Sequence, residues 1–136
     1  MTQEAKAVRQ RYHEAWNSGD AHALDGIITP DVVNHSPLPG QPQGVVGFKG
    51  AILSMRAGVP DLTITIESLI GEGDMVATRW TGTGTNAGAL MGVPATGKRI
   101  TVAGIDICRV ADGRIVDYWQ QLDTMSMLQQ LGAIPS

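Results

Sequence analysis

The run Gly104–Asp123, GIDICRVADGRIVDYWQQLD, constrains the fold more than any other stretch of the chain. Asp112-Gly113 between two apolar runs is a strong short-range signal for a tight β-hairpin, because both residue types tolerate a left-handed backbone. Such a long hairpin needs further strands beside it before its apolar face is buried. On the second arm, alternation places Ile115, Asp117, Trp119, Gln121 and Asp123 on one side, with Val116, Tyr118, Gln120 and Leu122 on the other. Two carboxylates, an amide and an indole on one side are costly in a sealed core and natural on the wall of a polar-lined pocket. The hairpin is therefore where chemistry is expected.

The N-terminal segment reads as a helix, since Ala5, Val8, Tyr12, Ala15 and Trp16 recur at helical spacing. Thr2 is expected to cap it, Glu4 suits its first turn, and Gly19 suits a left-handed exit. Asp20 then caps a second short helix with Leu24, Ile27 and Ile28 inward, ended by Pro30. The proline-rich stretch DVVNHSPLPGQP (31–42) admits only a short strand at Val32–Asn34. Val45, Phe48, Ile52 and Met55 mark a third helix ending at Gly58 and Pro60. Leu62, Ile64 and Ile66 alternate with Thr63, Thr65 and Glu67, which predicts a half-buried strand reaching Ile70. After a turn at Gly71–Asp74, a second strand runs from Met75 to Thr85. Asn86–Lys98, rich in Gly, Ala and Pro, has an apolar tip at 90–94 and reads either as a lid or as a loose connector. Met125, Leu128 and Leu131 give a terminal helix before Gly132.

Three helices, four antiparallel strands and a terminal helix make an α+β fold, with the helices packed on the concave face of a curved sheet. The 136 residues suit one domain, 1–136, around a single core. A net charge of -3 offers no basic footprint for nucleic acid. Cys108 is the only cysteine, so no intrachain disulfide can form. MTQEAKAVRQRYHEAW has no apolar leader run, and no stretch approaches the roughly 20 apolar residues of a membrane helix. No membrane partner and a cytoplasmic location are expected. The three histidines lack ligand spacing, so no metal is expected either.

The segments TPDVVNHSP (29–37), VATRWTGTGT (76–85), MGVPATGKRI (91–100), GIDICRVADGRIVDYWQQLD (104–123) and LQQLG (128–132) together resemble the SnoaL-like polyketide cyclases. These are also described as ester cyclases and belong to the nuclear transport factor 2-like superfamily. The resemblance implies a cone-shaped α+β barrel, a homodimer, a deep apolar pocket, and an intramolecular aldol closure with no metal or organic cofactor. It also implies a general acid/base at Asp123, with His35 and Trp119 on the pocket wall. Many members carry a histidine where Asn86 stands, a departure that bears on the reaction rather than the fold.

Asp123, His35 and Asp106 are thus the candidate catalytic residues. Asp123 directly precedes a helix, so work as a base competes with capping the N–H of Met125 or Ser126. His35 reads either as a proton shuttle or as a brace for its loop. Asp106 shares a strand face with Gly104 and Cys108. It either faces Asp123 or Trp119 across the pocket, or pairs with Arg79 or Arg109 on the outer surface. Asn34, Trp80, Met91, Trp119 and Gln121 are candidates for holding the substrate, the amides orienting an oxygen and the others forming apolar walls. Each is equally at home as ordinary core or surface. His13 and His22 read as solvent-facing or interface residues, and Cys108 as inert core. The expected substrate is a small apolar carbonyl compound. Hydrolysis or hydration stays open, an epoxide needing an Asp–Arg–Asp set about Arg79 or Arg109, as does non-catalytic ligand binding.

Overall fold

Four strands follow one another as an antiparallel meander: β2 (Thr63–Glu72), β3 (Met75–Thr85), β4 (Arg99–Ala111) and β5 (Arg114–Leu122). This is a computed structural model, and it describes residues 1–135. The hairpin that joins β4 to β5 turns at Asp112 and Gly113, with φ of 50° and 77°, the two left-handed positions of a type I′ turn. β4 carries the clearest alternation. Ile100, Val102, Gly104, Asp106, Cys108 and Val110 point inward, while Thr101, Ala103, Ile105 and Ile107 are exposed.

The helices lie on the inward face. α1 (Thr2–Ser18) buries Ala5, Val8, Tyr12 and Ala15 as its spacing predicts, and Arg9 with them. It leaves through Gly19 at φ 74°. α2 (Val45–Gly58) buries Val45, Phe48 and Ile52, and α3 (Thr124–Gln130) buries Met127. The buried side chains fall into two groups. One gathers Val8, Tyr12, Phe48, Ile52, Ile115 and Tyr118; the other gathers Val59, Leu62, Leu90, Ile100, Val102 and Met127. Among the described residues no helix is long and apolar enough to cross a membrane.

Three local expectations are corrected. Thr2 lies inside α1 and does not cap it; its hydroxyl donates to the Gly73 carbonyl at 3.0 Å. The second helix is a single 3₁₀ segment, Ala21–Gly26, capped by Asp20, whose side chain accepts from the N–H groups of His22 and Ala23. Ile28 already belongs to a fifth strand, β1 (Ile28–Asn34), which runs parallel to β5 and gives the order β1-β5-β4-β3-β2. Pro30 sits within β1 because this is an edge strand, where one side of the backbone needs no partner. The pairing is irregular between Ile28 and Val33, where that proline falls.

The fourth correction decides the site. Arg109 pairs with Asp117, but the next residue on β4, Val110, pairs with Ile115. Val116 is therefore one residue too many on β5, a β-bulge. A bulge interrupts the two-residue period, so Ile115 and Tyr118 both point inward although three positions separate them. From Tyr118 onward the inward residues are Tyr118, Gln120 and Leu122. Asp117, Trp119 and Gln121 stand on the outer face.

Candidate active site

A cavity of about 560 Å³ opens between sheet and helices, lined by members of both buried groups. Trp16, Phe48, Leu62, Trp80, Val102 and Leu122 belong to its apolar wall. The exposed residues Leu38, Val46 and Met91 mark the rim. At one end its polar groups are Arg9 and His13 from α1, Asp106 from β4, and Tyr118 and Gln120 from β5, while Asn34, Ser36, Gln41 and Ser54 add others from β1, the loop after it and α2.

The centre of this polar end is an ion pair. Arg9 Nε lies 3.0 Å from Asp106 Oδ1 and Nη2 lies 2.7 Å from Oδ2, a two-bond fork with both side chains at most 4% exposed. Burial works to lower the Arg9 pKa, but the charge and hydrogen bonds of Asp106 outweigh it and raise the value, so the guanidinium stays charged. Arg9 also stands 5.0 Å from the centre of the Tyr12 ring, and its Nη1 has no hydrogen-bond partner among the described residues. Tyr118 Oη completes the group, 3.2 Å from Asp106 Oδ2 and 2.7 Å from the Gln120 amide oxygen. Burial, then Tyr12 and Asp106, push the Tyr118 hydroxyl well above the ordinary phenol range, so it keeps its proton. Burial raises the Cys108 thiol to about 12, which leaves it an inert neighbour.

The floor under the apolar end is a product of glycine. Trp80 pairs across the sheet with Gly104, and a Cβ on Gly104 would lie 2.4 Å from the indole. Gly82, next inward on β3, has no side chain to fill the space above it. The indole therefore packs against the β4 backbone at Gly104, in the space a side chain there would take.

Of the residues singled out from sequence, Asp106, Asn34, Trp80 and Met91 line the cavity together. Asn34 does so while organising the following loop: it accepts from Ser36 N–H and donates to Gln41. Asp123, His35, Trp119 and Gln121 are not among the lining residues. Asp123 is exposed and accepts from Ser126 N–H at 3.1 Å, the N-cap of α3. His35 stacks on Trp119 with ring centres 4.5 Å apart and planes 6° from parallel, its Nε2 2.9 Å from Asp117 Oδ1. That contact, against an opposing desolvation effect and with help from Arg109, holds the Asp117 carboxyl below the usual carboxylate range. Arg109 lies between Asp117 and Asp74, but this Asp–Arg–Asp chain stands on the outer face, away from the cavity.

The segment 86–98 is pinned and is not a loose connector. Asn86 is fully buried; its Oδ1 accepts from the Thr96 N–H and hydroxyl and its Nδ2 donates to Gly88 O. Gly88 N–H then reaches the end of α2 at Gly58 O. Met91, at φ 52°, turns at the tip between the paired residues Leu90 and Val93.

Sequence alone does not single out Arg9, Tyr118 or Gln120, and it reads His13 as a solvent-facing or interface residue. His13 is half-buried on the cavity wall and not solvent-facing; burial first, then Arg9, lowers its pKa. Arg9 did leave a signal, because it sits within the apolar stripe of α1, between Val8 and Tyr12. A charge on the buried face of an amphipathic helix demands a partner in the opposite layer.

The cap geometry yields a direct expectation. Asp123→Ala should destabilise the fold by about 1 kcal/mol, the ordinary loss of an N-cap, in urea unfolding followed by circular dichroism. Any turnover should stay within about threefold of the parent. A hundredfold loss of rate with the stability unchanged would instead make Asp123 a participant in the chemistry.

Comparison with known proteins adds the following. The family model for SnoaL-like polyketide cyclases matches residues 6–131. The aklanonic acid methyl ester cyclase DauD of Streptomyces sp. (strain C5) is 28% identical over 135 residues, covering 97% of this chain and 83% of that protein. Among solved structures, TsrD from Streptomyces laurentii superposes with a TM-score of 0.88 at 32% identity, covering 97% of each chain. IdmH from Streptomyces antibioticus gives 0.82 at 38% identity, covering 94% of this chain and 98% of that one.

Proposed function

Because the chain belongs to the SnoaL-like polyketide cyclase family, we propose that it closes a ring in a fused-ring carbonyl substrate by proton transfer alone, without a cofactor. The observation that carries this reading is the placement of Asp106, the one carboxylate among the described residues lining an otherwise largely apolar cavity. Asp106 takes a proton from a carbon next to a carbonyl, and the electron pair of that C–H bond becomes the enolate. The enolate carbon then attacks a second carbonyl of the same molecule, forming one C–C bond. The resulting alkoxide recovers a proton from the Asp106 carboxyl, so the enzyme returns to its starting state. Arg9 keeps Asp106 in place and lends positive charge to the developing enolate. Trp80 supplies a flat apolar face for the rings, with Asn34 and Met91 near the open end.

Aklanonic acid methyl ester, named for a related cyclase, is the first substrate to try. The parent should cyclise it, and Asp106→Asn should lose about a hundredfold or more in kcat. Asparagine keeps the shape and can still accept from Arg9, so a matched circular dichroism spectrum separates lost chemistry from lost fold. A near-parental rate would take the role away from Asp106. In this reading Asp123 serves as a helix cap and His35 ties β1 to β5.

The protein further acts as a homodimer. Ile105 and Ile107 are 50% and 37% exposed on the outer face of β4, beside Trp119 on β5. Large apolar side chains placed together on one sheet face suit a partner surface. Sedimentation equilibrium should give twice the chain mass of 14.4 kDa, and Ile105→Lys should return it to the single-chain value. A parent that sediments as one chain would dismiss the dimer.

A further inference from the structure

The Tyr118 hydroxyl touches two groups and has one proton to give. Asp106 Oδ2 lies 3.2 Å away and the Gln120 side-chain amide 2.7 Å away. Asp106, already forked by Arg9, offers only lone pairs on that side. If Tyr118 gave its proton to Gln120, two oxygen lone pairs would face each other across the buried Asp106 contact. A donor bond to an ionised carboxylate is about twice as strong as one to a neutral amide, so the proton goes to Asp106. The Tyr118 oxygen is then an acceptor toward Gln120, and only the Nε2 end of the amide can satisfy it. A half-turn about the last side-chain bond puts that nitrogen in contact, with no change in the shape of the group. The order that satisfies every member is Gln120 to Tyr118 to Asp106.

That order fixes what the other end of the amide offers. The Gln120 side chain lines the cavity, and Tyr118 is its only hydrogen-bonded side-chain partner among the described residues. We propose that Gln120 presents its carbonyl oxygen to the cavity and selects substrates that carry a hydroxyl, phenolic or enolic, at the ring edge beside Asp106. The substrate class narrows from fused-ring carbonyl compounds to hydroxylated ones. A ketone oxygen at the same place meets another acceptor and is disfavoured, because a buried site built for a hydroxyl penalises an analogue without one. Tyr118 is a positioning residue here, setting which end of the amide faces inward. The inference rests on the reading of the cavity as a fused-ring site.

Three naphthalenes of nearly one shape test it: 2-naphthol, 2-methoxynaphthalene and 2-acetylnaphthalene, their binding followed by quenching of tryptophan fluorescence. The parent should hold 2-naphthol at least about tenfold tighter than the methyl ether. Gln120→Leu should bring that ratio to within about twofold. Tyr118→Phe frees the amide to turn, so the preference for 2-naphthol over 2-acetylnaphthalene should shrink or invert; ratios within one variant are insensitive to a general loss of affinity. Binding of all three naphthalenes with equal affinity, or a parent that prefers the ketone, would overturn the role of Gln120 and leave the cavity reading standing. If none of the three binds, the fused-ring cavity itself is refuted, and the Gln120 inference goes with it.

Discussion

Arg9→Met should destabilise the protein by about 3–5 kcal/mol, read as the loss in urea unfolding free energy. The size follows from what is left behind. Asp106 is 1% exposed and sits at the polar end of the cavity, with Tyr118 as its remaining side-chain donor. Water cannot reach it freely, so the cost is that of an unpaired buried charge. The double variant Arg9→Met/Asp106→Leu removes both charges and fills the space, and most of the lost stability should return, because a well-packed apolar pair often equals a buried ion pair. A single variant that loses less than about 1 kcal/mol would mean that solvent or another group already screens Asp106. The double variant should be stable and catalytically dead. Such a result would show that this ion pair is kept for chemistry and specificity at no gain to the fold.

Gly104→Ala should be the most damaging single-methyl change on the sheet wall of the cavity. The added Cβ would lie 2.4 Å and 2.7 Å from two indole atoms of Trp80, well inside contact distance. Trp80 cannot settle deeper, since β4 is directly beneath it, so the ring must tip into the cavity. Overpacking of this kind costs about 1–3 kcal/mol. The larger effect is on function, because the tipped indole occupies the space of a planar ligand. Binding of 2-naphthol should fall by more than about tenfold. Trp80→Ala added to Gly104→Ala should relieve the strain, giving a double variant more stable than the sum of its parts. Gly82→Ala is the control: its Cβ would meet its nearest neighbours at 3.4 Å and 3.6 Å, ordinary contact distances, so the fold should tolerate it. Equal melting temperatures and equal naphthol affinity for Gly104→Ala and the parent would show that the indole does not rest on β4.

Much of this architecture was legible in the sequence, and the illegible parts share a physical cause. The stripe of α1, the alternation along β4 and the Asp112-Gly113 turn are local patterns, and each gave its element correctly. Asp106 shares its strand face with Gly104 and Cys108, as alternation predicts, because no irregularity interrupts β4 there, but alternation alone leaves open which face lines the cavity. The partner of Asp106 was not foreseen. Arg79 and Arg109 are near in the sheet, whereas Arg9 arrives from another layer, and only tertiary packing decides between them. Asn34 and Trp80 were candidates by residue type, and the fold decides their faces, with Asn34 at the inward end of β1 and Trp80 opposite Gly104. On β5 alternation chose the outward set, because Val116 carries no turn residue or glycine to announce a bulge. Asp123 showed both of its possibilities in sequence, since a residue before a helix is always a candidate cap. The contact to Ser126 N–H shows the capping one.

The extra residue at Val116 also bears on how such an enzyme can change its chemistry. A substitution that drew Val116 into the ladder opposite Arg109 would remove the bulge and restore the plain period of β5. Everything beyond it would then rotate together, withdrawing Tyr118, Gln120 and Leu122 and turning Asp117, Trp119 and Gln121 toward the substrate. One strand thus stores two complete sets of side chains, one in use and one facing away. The second set can accumulate substitutions under selection only for surface and assembly. A lineage of such enzymes could therefore acquire a new wall in a single mutational step, a jump that comparisons assuming residue-by-residue drift would miss.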